Sequence, residues 1–182
     1  MNTVAALFVR SDSVYKSLPG VDCWDATRDA SRYDRSFPVI CHPPCRSWGR
    51  LRQFSKPRPG EKELALKALS FVRAFGGVLE HPKGSTLFKT SGIPGPGERD
   101  MFGGFILGID QSWFGHRARK ASLLYICGCQ PRSLPPIPLR FDVIATDVEH
   151  MGKAEREKTP LPFAKWLVDL ASRCQGMGRA AC

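Results

Sequence analysis

The sequence predicts an α/β fold built as a single domain, and three observations predict it. Short apolar runs of strand length recur at residues 4–9, Val39–Cys41, 78–80, 105–109 and 122–126. Two longer segments carry helical periodicity, one before and one after most of these runs. The chain has 182 residues, enough to bury one full core and near the usual size of a domain.

The elements follow in order. Residues 4–9 are a compact apolar run ending at Arg10-Ser11-Asp12, a strand leading into a polar turn. Pro19-Gly20 marks a turn before a brief strand that ends among Asp22, Cys23, Trp24 and Asp25. Val39–Cys41 is the third strand, and Lys56-Pro57-Arg58-Pro59-Gly60 then breaks the chain. From Glu61, apolar residues at 64, 68, 71, 72 and 75 recur at helical steps, with Glu61 and Glu63 in the first turn and Gly76-Gly77 at the end.

Residues 78–80 are a short strand running into His81-Pro82. Residues 83–104 are rich in glycine and proline without periodicity, which predicts a long loop. Strands are expected at 105–109 and 122–126, then a proline-dense connector over 131–138. A last helix opens near Pro160 with Thr159 as its cap. Phe163, Trp166, Leu167, Leu170 and Ala171 form its inward stripe. The domain is expected to span 1–172, with 173–182 a flexible tail.

Composition narrows the class of function. No apolar run is long enough to span a bilayer, and the N-terminus lacks the basic-then-apolar opening of a secretory signal. A cytoplasmic location is therefore expected. Seven cysteines, an odd number, fit reduced thiols better than a disulfide framework. Their spacings contain no Cys-x-x-Cys pair, which argues against a structural zinc site. The formal charge of +10, clustered along the chain, points to a polyanionic partner, with nucleic acid foremost.

Four clusters carry residues suited to chemistry: Asp22/Asp25, His42 to Cys45, Glu80-His81-Pro82 and Gln111 to Lys120. Cys45 follows Pro43-Pro44 just past a strand, so its thiol is aimed from a stiff backbone, as a nucleophile requires. Arg46, Arg50 and Arg52 lie beside it and predict an electropositive setting that favours thiolate. Glu80, between an apolar strand and proline, is expected to be partly buried and to need a partner or a task. Asp25 reads more simply as a turn or helix-capping acid, and Arg117, Arg119 and Lys120 as a solvated basic face. Trp48 is placed either to stack on a base or to pack in the core.

In this order the clusters resemble the DNA cytosine-5 methyltransferases, and more closely the short methyltransferase-like proteins of phages and prophages. The matching residues are His42-Pro43-Pro44-Cys45, then Glu80-His81-Pro82 as a variant of the family's Glu-Asn motif, then Phe114-Gly115-His116-Arg117-Ala118-Arg119-Lys120-Ala121. The resemblance implies a reduced Rossmann-like methyltransferase-type sheet flanked by helices, in the cytoplasm of a bacterial host. It implies catalytic roles for Cys45, Glu80, Arg117 and Arg119. Phe8, Asp22 and Asp25 would hold S-adenosylmethionine. His42, Arg46, Trp48, Arg50, Arg52, His116 and Lys120 would face DNA, either a single strand or a duplex with the target base flipped out.

The implied chemistry is addition of the Cys45 thiolate to C6 of cytosine. A carboxyl of raised pKa at Glu80 would support N3, and the arginines would steady the developing charge. The chain departs from the family where a Phe-x-Gly-x-Gly loop would approach the methyl donor, because Phe8-Val9-Arg10-Ser11-Asp12-Ser13 has no glycine. Residues 120–182, after Arg119, are not expected to form the family's target-recognition domain. Three readings stay open from sequence: a pyrimidine C5-modifying enzyme, a degenerate methyltransferase fold that binds nucleic acid or counters a host defence, and a basic α/β domain in which Cys45 is a packed thiol.

Overall fold

The structure is a computed structural model that describes residues 3–139, 146–147 and 151–176. Its strands are β1 (Val4–Leu7), β2 (Val21–Trp24), β3 (Val39–Cys41), β4 (Gly77–Pro82), β5 (Phe105–Asp110), β6 (Ala118–Arg119), β7 (Ala121–Cys127) and β8 (Thr146–Asp147). The helices are α1 (Glu61–Phe75), α2 (Leu87–Thr90), α3 (Lys153–Glu157) and α4 (Leu161–Ser172). Six strands form one mixed sheet in the order β2-β1-β3-β4-β7-β5. The first four are parallel, and β7 runs antiparallel between β4 and β5. The short pair β6 and β8 stands apart from this sheet.

The two-residue alternation of strands builds the two cores. Val4, Ala6, Ile40, Val78, Leu124 and Ile126 turn to one face, where Phe163, Leu167 and Leu170 of α4 cover them. Ala5, Leu7, Val39, Cys41, Leu79, Tyr125 and Cys127 turn to the other, under Ala65, Ala68, Leu69 and Val72 of α1. The expected stripe of α4 is buried throughout, whereas α1 is rotated so that Ala65 and Leu69 are buried and Leu64 and Phe75 are only half-buried. The result is a sheet with a helix on each face. Among the described residues, no helix is long and apolar enough to cross a membrane.

Some local expectations are corrected. Pro160, not Thr159, occupies the cap of α4, and no side chain caps it. The segment 83–104 is not structureless. It contains α2, whose Leu87 and Phe88 are buried, and Asp100 folds its end by accepting from the amides of Phe102 at 3.0 Å and Gly104 at 2.8 Å. The start of the expected tail is anchored, since Cys174 is buried and the Gln175 amide donates to the Gly128 carbonyl at 2.8 Å. Residues 177–182 lie outside the described residues.

The strand order reverses at β1. The chain goes from β1 to β2 on one side and then crosses to β3 on the other. Loops at such a reversal diverge and leave a crevice beyond the carboxyl ends of the strands, which is where ligands gather in open α/β sheets. The crevice depends on close pairing of β3 with β4, and Gly77 permits that pairing. Its φ is +118°, and an added Cβ would lie 2.0 Å from the Val39 carbonyl oxygen. Gly77→Ala should therefore destabilise the fold by about 3 kcal/mol or more, through strain at a special φ and overpacking against backbone. Chemical denaturation checks this, and a loss below about 0.5 kcal/mol, as for a neutral surface change, would contradict the pairing.

Candidate active site

A cavity of about 670 Å³ fills this crevice, within the range of small-molecule sites. Its walls come from the segment after β1 (Phe8 to Tyr15), the segment after β3 (His42 to Arg46) and the end of β4 (Glu80 to Pro82). Lys120, Arg58, Glu61 and Arg156 to Thr159 complete the lining. Cys45 and Glu80, distant in sequence, thus open into the same space.

Parity and register bring the polar groups together. Ile40 pairs with Val78 and Cys41 with Leu79, so the next residues on the α4 face of these strands are His42 and Glu80. His42 Nδ1 lies 3.2 Å from Glu80 Oε2, and His42 Nε2 lies 3.0 Å from the hydroxyl of Tyr15. Ser122, two residues before Leu124 on the same face of β7, donates its hydroxyl to Glu80 Oε1. Gln111 Nε2 donates to that oxygen at 3.1 Å. Tyr15 and Ser122 were not singled out by sequence. The only signal for Ser122 was its parity with Leu124 and Ile126.

The electrostatics reverse two expectations. Burial pushes the Glu80 carboxyl up, but the hydrogen bond and charge of His42, the charge of Lys120 and the bond from Ser122 outweigh it and hold the pKa at about 2. Glu80 is an anion, not the protonated acid that the resemblance implied. The Cys45 thiol is pushed above its ordinary value, by burial first and then by the charge of Glu80, with Lys120 opposing. The residue is exposed overall, yet its sulfur stands among cavity walls, and the burial felt there governs its ionisation. Of the arginines expected to favour thiolate, Arg46 is committed to Glu61, at 2.6 and 2.8 Å, and Arg50 and Arg52 do not line the cavity.

Lys120 supplies a positive charge that acts on both Glu80 and Cys45. Burial lowers its pKa, while Glu80 and Cys45 raise it. The arginines expected in that role lie elsewhere. Arg117 pairs with Glu155 at 3.2 Å and Arg119 is exposed on β6, and neither lines the cavity. His81 lines the cavity but is 1% exposed, and burial lowers its pKa to about 4, so it is neutral at neutral pH.

The residues expected to face DNA divide into two groups. His42, Arg46 and Lys120 line the cavity, and Arg50 and Arg52 are exposed on the loop that follows Cys45. Trp48 is 2% exposed and packs in the α1-side core, its indole donating to the Lys62 carbonyl at 3.1 Å, so no base can stack on it. His116 is buried, with Nδ1 2.9 Å from the Ala118 carbonyl oxygen and 3.1 Å from its amide, and shapes a turn.

Of the residues expected to hold S-adenosylmethionine, only Phe8 reaches the cavity. Phe8 adopts a φ of 59°, so a non-glycine residue takes the left-handed turn where the family has a glycine-rich loop. Asp22 is held by Arg28, by Arg35 at 3.6 Å and by the indole of Trp24 at 3.0 Å. Asp25 pairs with Lys16 at 2.7 Å and caps the amides of Thr27 and Arg28. Both acids are already neutralised by the chain's own groups and do not line the cavity, so the residues present do not fit the methyl donor where the resemblance implied it. Among the described residues, no three His, Cys, Asp or Glu side chains are grouped as a metal site.

No protein-family model matches the chain, and no curated protein matches it.

The thiol electrostatics make a testable statement. Alkylation of Cys45 should be slow at neutral pH and accelerate through and beyond the ordinary thiol pKa near 9, because the reactive form is the thiolate. Glu80→Gln should move that profile to lower pH by removing a negative charge, and Lys120→Met should move it to higher pH. Rapid labelling of Cys45 at pH 7, or a Glu80→Gln profile that does not move, would contradict this arrangement.

Proposed function

We propose that this chain is a pyrimidine C5-modifying enzyme acting on DNA, of the cytosine-5 methyltransferase type, with Cys45 as nucleophile. The observation that carries the reading is the convergence of Cys45 and Glu80 in one cavity at the ends of neighbouring parallel strands. The antiparallel β7 set between parallel β4 and β5 supports the finer fold reading, a methyltransferase-type variant of the doubly wound sheet.

The step that these residues support is addition to the base. The Cys45 thiol gives its proton to solvent as its sulfur bonds to C6, the C5–C6 π pair moves to C4–C5, the C4–N3 π pair moves onto N3, and N3 takes a proton from solvent, so that C5 becomes nucleophilic. Anionic Glu80 accepts from the base edge. Lys120 offsets the charge of the thiolate and of the developing ring anion. The net charge of +10 and the exposed Arg50 and Arg52 suit a nucleic-acid backbone beside the cavity.

A second reading, a degenerate methyltransferase fold that binds nucleic acid or counters a host defence, is favoured by one observation: Asp22 and Asp25 are locked in internal ion pairs. Exchange at C5 separates the two readings without any donor. Reversible addition of Cys45 lets C5 take a solvent proton and lose its own, so oligonucleotides carrying [5-³H]cytosine should release tritium to water. Wild-type protein should release it and Cys45→Ser should not. Release that survives Cys45→Ser would overturn the nucleophile, and binding without release would favour the second reading.

Partner class is tested by salt. Affinity for DNA should fall with salt at about −0.7 per phosphate contact on single strands or about −0.9 on duplex, in logarithmic terms. The double variant Arg50→Ala/Arg52→Ala should flatten that slope with the fold intact. Binding that is insensitive to salt would remove nucleic acid as partner.

A further inference from the structure

We propose that His42, held in one tautomer by Tyr15, is a positioning residue that aims and fixes Glu80 for an incoming base. The inference rests on the reading that Glu80 faces the base, and it adds two residues to which the cysteine-addition chemistry assigns no role.

The geometry is that of an ordered chain of three side chains from three elements. Tyr15 belongs to the 3-10 turn after β1, His42 follows β3 and Glu80 lies in β4. Tyr15 is 1% exposed in the α4-side core, and its ring sits 5.4 Å from the His42 ring. Burial, and then the negative charge of Glu80, hold the phenol well above its ordinary pKa, so its oxygen keeps its proton. That proton has an acceptor in His42 Nε2 at 3.0 Å. An imidazole that accepts at Nε2 carries its own hydrogen at Nδ1, and Nδ1 is the atom 3.2 Å from Glu80 Oε2. In the neutral ring each polar atom of the chain is thereby satisfied and the tautomer is fixed by the group behind the imidazole, and in the charged ring Nδ1 keeps the same hydrogen toward Glu80. The opposite tautomer would set two donors against each other at Tyr15 and two acceptors against each other at Glu80.

The consequence lies at the carboxylate. Ser122 and Gln111 bond to Oε1, and among the described residues His42 alone bonds to Oε2. His42 therefore fixes the rotation of the carboxylate plane from the side of β3, which is also the side of Cys45. A carboxylate pinned at both oxygens presents its remaining lone pairs in one direction, and a donor on a bound base must meet them there. Misplacement by about 1 Å at such a group can slow a reaction about a hundredfold. The charged and titratable groups that act on this chain from neighbouring elements are Lys120 before β7, Cys45 after β3, His81 in β4 and Cys23 in β2.

Magnetic resonance on the free protein, paired with tritium release, tests the proposal. With labelled histidine, wild-type His42 should show the Nδ1–H tautomer, and Tyr15→Phe should release it to a mixture. With labelled glutamate, the Glu80 carboxyl should titrate near 2 in wild type and higher in His42→Ala. His42→Asn, whose amide nitrogen stands where Nδ1 stood, should restore the part of the lowering that the hydrogen bond carries, and not the part that the His42 charge carries. Release of C5 tritium should fall about a hundredfold in His42→Ala and recover most of that in His42→Asn. A Nε2–H tautomer in wild type, or a Glu80 titration that neither His42→Ala nor Tyr15→Phe moves, would overturn the proposal. If wild-type protein releases no tritium while the tautomer and carboxyl behave as stated, the pyrimidine reading falls, and the positioning of Glu80 by His42 stands on its own measurement.

Discussion

The parallel pairing of β3 with β4 governs the site. Val39, Ile40 and Cys41 lie beside Gly77, Val78 and Leu79, and the side-chain period of two then leaves no freedom over what comes next. Slipping the register by one residue would turn Ile40 and Val78 away from α4 and separate His42 from Glu80. The same pairing carries Cys45 to the edge of the cavity, because Pro43 and Pro44 extend the chain stiffly from the end of β3. Gly77 lets the two backbones approach, and α1 joins the two strands as the one full-length helix between them.

Buried charge is the second constraint. Glu80 is held among His42, Ser122, Gln111 and the charge of Lys120, so a carboxylate placed at the end of a core strand has donors at both oxygens. Its pKa lies below the usual carboxylate value, so it contributes stability that is complete above about pH 4.5 and is lost as pH falls toward 2. The same anion raises the thiol of Cys45, so the resting site keeps the nucleophile protonated. A bound base that takes up the Glu80 lone pairs would relieve this, and the thiol would then ionise more readily beside Lys120. In this way occupancy of the cavity and activation of the nucleophile are linked.

Much of the framework was legible in the sequence because the relevant signals are local. The bounds of β3 and α1, the buried stripe of α4 and the helix-ending glycines follow from periodicity and backbone preference. The meeting of Cys45 with Glu80 was legible because one follows β3 and the other stands toward the carboxyl end of β4, and these two strands are parallel neighbours. Ionisation was not legible. The state of Glu80 depends on Ser122 and His42, which reach it through pairings remote in sequence, and the state of Cys45 depends on burial and on that anion rather than on Arg46, which is paired with Glu61. Trp48 illustrates the same limit: it stands in a basic run suited to nucleic acid, yet α1 and the segment before α2 close over it. Asp22 and Asp25 sit at the end of a strand as ligand-binding acids do, and only the placement of Lys16, Arg28 and Arg35 shows them satisfied internally.

The central claim is that Cys45 adds to C6 of a pyrimidine held against Glu80. An oligonucleotide containing pyrimidin-2-one tests it most directly, because the ring without its 4-amino group is more electrophilic at C6 and needs no second substrate to form an adduct. Intact-protein mass followed by peptide mapping should find one equivalent of oligonucleotide on Cys45, absent in Cys45→Ser. Absence of any adduct from folded wild-type protein, or an adduct on another cysteine such as Cys23 or Cys129, would contradict it.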